Sequence, residues 1–210
     1  MIDGLEDLFL GRVLGLLGRR GVIGLNLGCL AFLHLALDDF LDLFGNDDRV
    51  AVVDLNSSSV DTLRVGDKPN SFVQIGSAVY VLCAGYEDWS GSASTPASLW
   101  KIENGSAVEV IAAPTNAVHA IALKTDGTNL YFLNASYSGA VVKTSLAPTA
   151  WPSNAITKTG GYNLDLLANV LYLHDAKDYA SAGKVYQYDL NGMLLDSIDA
   201  GIIPRQALVN

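Results

Sequence analysis

Basic residues are scarce in this chain. Thirteen Lys and Arg stand against twenty-two Asp and Glu in 210 residues, for a formal net charge of −9. That balance argues against nucleic acid, whose recognition needs a basic stripe, and no Lys/Arg cluster marks an anionic membrane surface. Cysteine is nearly missing. Cys29 and Cys83 lie in different segments without CxxC or Cys/His spacing, which removes zinc-finger and thioredoxin-like chemistry. Both read as small apolar packing residues. Histidine is as sparse: His34, His119 and His174 show neither HExxH nor a paired-ligand spacing. There is no GxSxG nucleophile motif and no phosphate loop, since GGYN (160–163) is a turn with no helix after it to receive a phosphate. No catalytic residue, metal or cofactor is expected. Low charge with 50% apolar residues excludes overall disorder, and the length allows a sizeable core.

Residues 1–48 lack another set: they contain no Ser, Thr, Lys, Tyr, Trp, Pro or Gln, yet carry fourteen Leu and eight Gly. They form an atypical segment apart from 49–210. The apolar run 21–37 follows Arg19 and Arg20 but is interrupted by Asn26 and His34, and its length is at the lower edge for a membrane helix. Asp3, Glu6 and Asp7 stand where a signal peptide needs positive charge. LNLGC (25–29) is only loosely like a lipoprotein cleavage box, because the chain stays apolar after Cys29. Apolar residues at 5, 8, 9, 13, 16 and 17 fit a helical face, although glycines weaken it by up to about 1 kcal/mol each. Two readings stay open: a helical extension, or an artefactual start from a truncated or shifted reading frame.

From residue 49 the pattern is period-two alternation with turn signals every six to twelve residues. RVAVVDL (49–55), VDTLRV (60–65), SFVQIG (71–76) and AVYVLCAG (78–85) read as strands. The unit recurs in SLWKIE (98–103), AVEVIA (107–112), AVHAIAL (117–123) and NLYFLNA (129–135). A third copy runs through GAVVKTS (139–145), a poor outer strand near 153–158, GYNLDLL (161–167) and NVLYLHD (169–175). GKVYQYDL (183–190), MLLDSID (193–199) and the short QALVN (206–210) close the series. Tyr80, Tyr131 and Tyr172 hold matched positions, and Asp-Gly and Asn-Gly pairs at 126–127 and 191–192 suit tight hairpins. Four strands per 40–45 residues is the signature of β-propeller blades. The expectation is an all-β, partial β-propeller of about three and a half four-stranded blades. An open half-ring would expose a blade face, which predicts a homodimer through that open edge.

Candidate binding residues sit in loops, where a rigid scaffold presents them. The long insertion GYEDWSGSASTP (85–96) carries Tyr86, Glu87, Asp88 and Trp89. Tyr137 and Trp151 lie in comparable loops. Asp175, Lys177, Asp178 and Tyr179 form a fourth group; they read as a small cation or ligand site, or as a loop that bonds to its own amides. His119 reads as a half-buried strand residue. His174, beside Asp175, reads as an imidazole that a carboxylate could orient.

Several stretches are similar to known repeats. VAVVDLNSSSVDTLRVGDKPNSF (50–72) resembles the YVTN repeat. PNSFVQIGSAVYVLCAG followed by SLWKIE resembles YncE-like surface propellers of Gram-negative bacteria, as do DAKDYASAGKVYQYD and DSIDAGIIP for the last blade. The resemblance implies an exported lipoprotein at the cell surface or outer membrane, non-enzymatic, binding a small molecule such as a corrinoid or a glycan and serving an outer-membrane receptor. It implies a seven- or eight-bladed ring, of which this chain carries the C-terminal half and no convincing signal peptide. The alternatives are a structural or protein–protein interaction fragment and a lactonase- or lyase-like propeller enzyme.

Overall fold

The computed structural model describes residues 31–32, 48–54, 59–87, 94–114, 119–135 and 138–208. Every regular element among them is a strand. The first sheet holds β1 (Ala31–Phe32), β2 (Arg49–Asp54) and β3 (Ser59–Arg64). The second holds β4 (Pro69–Ile75), β5 (Ala78–Cys83), β6 (Ser98–Glu103) and β7 (Ser106–Ala112). The third holds β8 (Ile121–Thr125), β9 (Asn129–Leu133) and β10 (Val141–Ser145). The fourth holds β11 (Asn163–Leu167), β12 (Val170–Asp175), β13 (Lys184–Tyr188) and β14 (Leu194–Asp199). All pairings are antiparallel between neighbours in order.

Turn chemistry sets these hairpins. Asn104 and Gly105 take φ of 52° and 73° between β6 and β7, the left-handed pair that a two-residue hairpin favours. Asp126 closes the β8–β9 turn: Oδ1 accepts the Thr128 and Asn129 N–H groups at 2.8 and 2.6 Å, and Oδ2 accepts the Tyr131 hydroxyl at 2.7 Å. Burial works against the Asp126 charge, but these donors outweigh it and hold the carboxyl well below its usual range.

The sheets stack in sequence, each pair enclosing its own apolar layer. Val50, Val65, Val79, Val81 and Ile102 fill the layer between first and second sheets. Tyr80, Leu82, Leu99, Leu123, Leu130 and Phe132 fill the next, and Tyr131, Leu133, Val141, Leu164, Leu171, Leu173 and Tyr188 the last. Alternation places odd and even residues of one strand in different layers: Leu130 and Phe132 face back, Tyr131 and Leu133 face forward. Tyr80 and Tyr131 both turn toward the following sheet, as their matched spacing implies. Cys83 is fully buried, and that burial pushes its thiol up to about 12. Cys29 lies outside the described residues.

Some expectations shift. The poor outer strand near 153–158 is a single bridge, Ala155 to Val142, so the third sheet has three strands. Of the strand read from Ala117, Ala117 and Val118 lie outside the described residues and β8 begins at Ile121; Ala122 adopts φ 62° where the ladder bulges between Ile121 and Lys124. His119 therefore precedes the strand instead of lying in it. The helix read into residues 1–48 lies outside the described residues except at Ala31–Phe32, which is a two-residue strand paired to Val52 and Val53.

Candidate ligand-binding end

Antiparallel order sorts the loops by end. The tight first turn of the later sheets (76–77, 126–128, 168–169) lies at one end of the stack. The loops 84–97, 134–140 and 176–183, between second and third strands, open at the other. The connections that lead into β8 and β11 arrive there too. Tyr86, Glu87, Lys177, Asp178 and Tyr179 thus share one end, although they are far apart in sequence. Asp88, Trp89 and Tyr137 lie outside the described residues.

The 85–96 insertion is clamped at its base. Gly85 turns the chain at φ 78°, and its Cβ position is occupied by backbone atoms of Thr95, Pro96 and Ala97 inside 3 Å, so only glycine fits there. Tyr86 and Thr95 then bond reciprocally, N to O at 3.2 and 2.8 Å. The Thr95 hydroxyl donates to Asp67 Oδ2. The Gly85 and Ala84 N–H groups donate to the carbonyls of Asp67 and Lys68 at 3.0 and 2.9 Å. Lys68 Nζ lies 5.5 Å from the Tyr86 ring centroid, within cation–π range. Glu87 Oε2 reaches across to His119 Nε2 at 3.1 Å, which ties the insertion to the entry of β8. Sequence reading found Tyr86 and Glu87 but missed Asp67 and Lys68, whose role depends on the fold bringing 67–68 against 84–86.

The 175–181 loop consumes its own carboxylates. Asp175 Oδ1 accepts the Lys177 N–H at 2.8 Å. Asp178 accepts the Ser181 N–H at 2.6 Å, the Ala180 N–H at 3.1 Å and the Ser181 hydroxyl at 2.8 Å. These donors, with Ser181 foremost, pull Asp178 down to about 2. Lys177 and Tyr179 take φ of 50° and 62°, strained for their type. The Tyr179 ring meets Tyr162 edge-on at 5.8 Å, and the Tyr162 hydroxyl donates to the Pro204 carbonyl. Trp151 is elsewhere: on the path back from β10, half-buried, with its ring 5.4 Å from Phe132 in the second apolar layer.

His174 finds a carboxylate, but not Asp175. Its Nε2 lies 3.0 Å from Asp165 Oδ2, on the register neighbour strand β11. Lys124 Nζ sits 3.3 Å from Asp165 Oδ1, and the Ala207 N–H donates to Oδ2 at 2.8 Å. Lys124 opposes Tyr131 and Asp165 opposes Tyr172, so the pair occupies equivalent places on successive first strands. Burial opposes the Asp165 charge, yet His174, Ala207 and Lys124 together hold its carboxyl below the usual range. His174 is fully buried, and its Nδ1 has no hydrogen-bond partner among the described residues. The imidazole is sealed from substrate, so this group positions strands and does not act as a base on a ligand. Among the described residues no three His, Cys, Asp or Glu side chains gather as a metal site.

Antiparallel sheets of three and four strands stacked face to face, with inner strands β4, β8 and β11 side by side, define a β-propeller architecture. No family model and no curated protein matches the chain. Solved structures do. The chain is similar to one in a nidogen/laminin complex, at 13% identity and a TM-score of 0.52, over 72% of this chain and 55% of that one. It is similar to a gluconolactonase from Xanthomonas campestris at 12% identity and a TM-score of 0.50, over 75% and 56%. The chain spans about half the length of these propeller-like structures. At such identity the likeness is one of fold alone.

Proposed function

We propose that this chain is a non-enzymatic binding propeller whose loop-bearing end captures a small molecule at a cell surface, as the resemblance to YncE-like propellers implies. The supporting observation is the clamped insertion. Asp67, Thr95 and His119 fix its base, and Tyr86 and Glu87 stand on that base beside Lys68. An aromatic ring, an acid and a base on a rigid mount give orientation and contact area at low entropic cost. Titration calorimetry with corrinoids and glycans tests it. One class should give heat, and Tyr86→Ala should weaken that binding by about tenfold or more, the usual scale of an aromatic anchor. No heat from either class, or affinity unchanged by both Tyr86→Ala and Trp89→Ala, would sink the proposal.

A second reading, protein–protein interaction, has its own support. Met193, Leu194, Leu195, Ile198, Ile202 and Leu208, in and around β14, are exposed, and exposed apolar side chains close together suit a protein partner.

A further inference from the structure

Three turns among the described residues place an acid or its amide directly before glycine: Asn104–Gly105, Asp126–Gly127 and Asn191–Gly192. This dipeptide carries its own chemistry. The glycine nitrogen can attack the side-chain carbonyl carbon before it, because no Cβ stands in the way. How far that reaction goes depends on what holds the glycine N–H and the side chain, and here the three turns differ.

Two of them are tied down. The Gly127 N–H donates to Thr125 Oγ1 at 2.9 Å, and both oxygens of Asp126 accept bonds from Thr128, Asn129 and Tyr131. The Gly192 N–H donates to the Asp189 carbonyl at 3.0 Å, while Asp189 Oδ1 accepts the Asn191 and Met193 N–H groups at 2.9 and 2.8 Å. A Cβ at Gly192 would strike the Ile156 carbonyl, so that turn is also packed from outside. Asn104–Gly105 has none of this. Both residues are exposed, and nothing lies within 4 Å of a Cβ built on Gly105. Neither the Asn104 side-chain amide nor the Gly105 N–H has a hydrogen-bond partner among the described residues.

We propose that Asn104 is a site of spontaneous covalent modification, converting selectively to aspartate and isoaspartate. The Gly105 nitrogen bonds to Asn104 Cγ, the Cγ–Nδ2 bond breaks, and ammonia leaves with the proton that the Gly105 nitrogen gives up. Water then opens the succinimide ring at either carbonyl. One water enters and one ammonia departs, with no change of oxidation state. An N–H that must first leave an acceptor reacts about tenfold more slowly, the factor that one hydrogen bond is worth.

The two products act differently on the hairpin. Aspartate tolerates the left-handed φ of 52° that Asn104 holds, so the turn survives. Isoaspartate runs the backbone through the side-chain carbon and lengthens the link between 104 and 105. The Glu103–Ser106 pair that closes β6 on β7 then loses its register. Either product adds a carboxylate beside Glu103, which already holds Lys101 Nζ at 2.8 Å. The site is thus a slow, one-way change of charge and hairpin geometry at the tight-turn end of the second sheet.

Incubation of the folded full chain at neutral pH in water labelled with heavy oxygen tests this, with peptide mass spectrometry and fragmentation assigning each site. Asn104 should take up label, as aspartate and isoaspartate together, at least about tenfold faster than Asn191. In concentrated urea the two sites should convert at similar rates, since only the fold separates them. Gly105→Ala, with circular dichroism as a check on folding, should slow residue 104 by about tenfold or more, because a Cβ then hinders the attacking nitrogen. Equal rates at Asn104 and Asn191 in the folded chain overturn the inference, as does an absence of conversion at Asn104. A difference that persists in urea, or a folded Gly105→Ala chain that converts at the native rate, overturns it as well.

Discussion

At the residue scale, carboxylates organise this molecule. Asp126 caps a hairpin, Asp178 caps a loop, Asp67 anchors the insertion and Asp165 ties three segments to one another. Asp165 makes the clearest test. Its folded pKa is lowered, so its contribution to stability is full above the ordinary carboxylate value, about 3.9, and is lost as pH falls through the folded value. Asp165→Asn should destabilise the protein by about 1–3 kcal/mol at neutral pH. It should also lose less further stability than the native chain between pH 5 and pH 2.5. Urea unfolding midpoints measured across that range check both, and identical pH slopes for the two proteins would refute the assignment.

At the element scale, the hairpin is the unit, and its turn is set by one or two residues. β8 and β9 are joined by Asp126, whose two oxygens reach the Thr128, Asn129 and Tyr131 donors. Asp126→Ala removes all of them and leaves the buried Tyr131 hydroxyl without its acceptor. The expected loss is about 2–4 kcal/mol, near the top of the range for a cap plus a stranded buried polar group. Thermal or urea unfolding measures it; a loss below about 0.5 kcal/mol would show that the turn closes without the carboxylate. The loops at the other end are built differently. Glycine at 85 admits the close approach of Thr95 and Pro96, and the insertion then grows from a base that its own sequence does not specify.

For the whole molecule, cohesion is between neighbours. Each sheet buries its apolar layer against the next, so stability falls toward a terminal sheet that has one neighbour. β9 is buried at Leu130, Tyr131, Phe132 and Leu133, whereas β14 is exposed along its whole length. Amide hydrogen exchange on dilute, monomeric protein should find β14 exchanging at least about 100-fold faster than β9. Comparable protection in the two strands would mean that the fourth sheet has gained a cover.

The sequence by itself determined the all-β class, the repeat, most strand positions and the turn residues. Period-two alternation and Asp-Gly or Asn-Gly pairs are local signals, and they act on strands whose two faces differ. It also placed Tyr86 and Glu87 in a special loop, and of its two readings for the loop after Asp175, a ligand site or a self-bonding loop, the second matches the bonds that Asp175 and Asp178 accept. Only the tertiary structure decided the partners. Asp165, not Asp175, meets His174, because strand register outranks sequence adjacency. His119 joins Glu87 across a gap of 32 residues, and Trp151 turns into the core instead of out of a loop. Contacts between sheets depend on which residues of separate strands fall opposite one another. That register is fixed by the packing of buried layers as a whole, and no single stretch of sequence carries it.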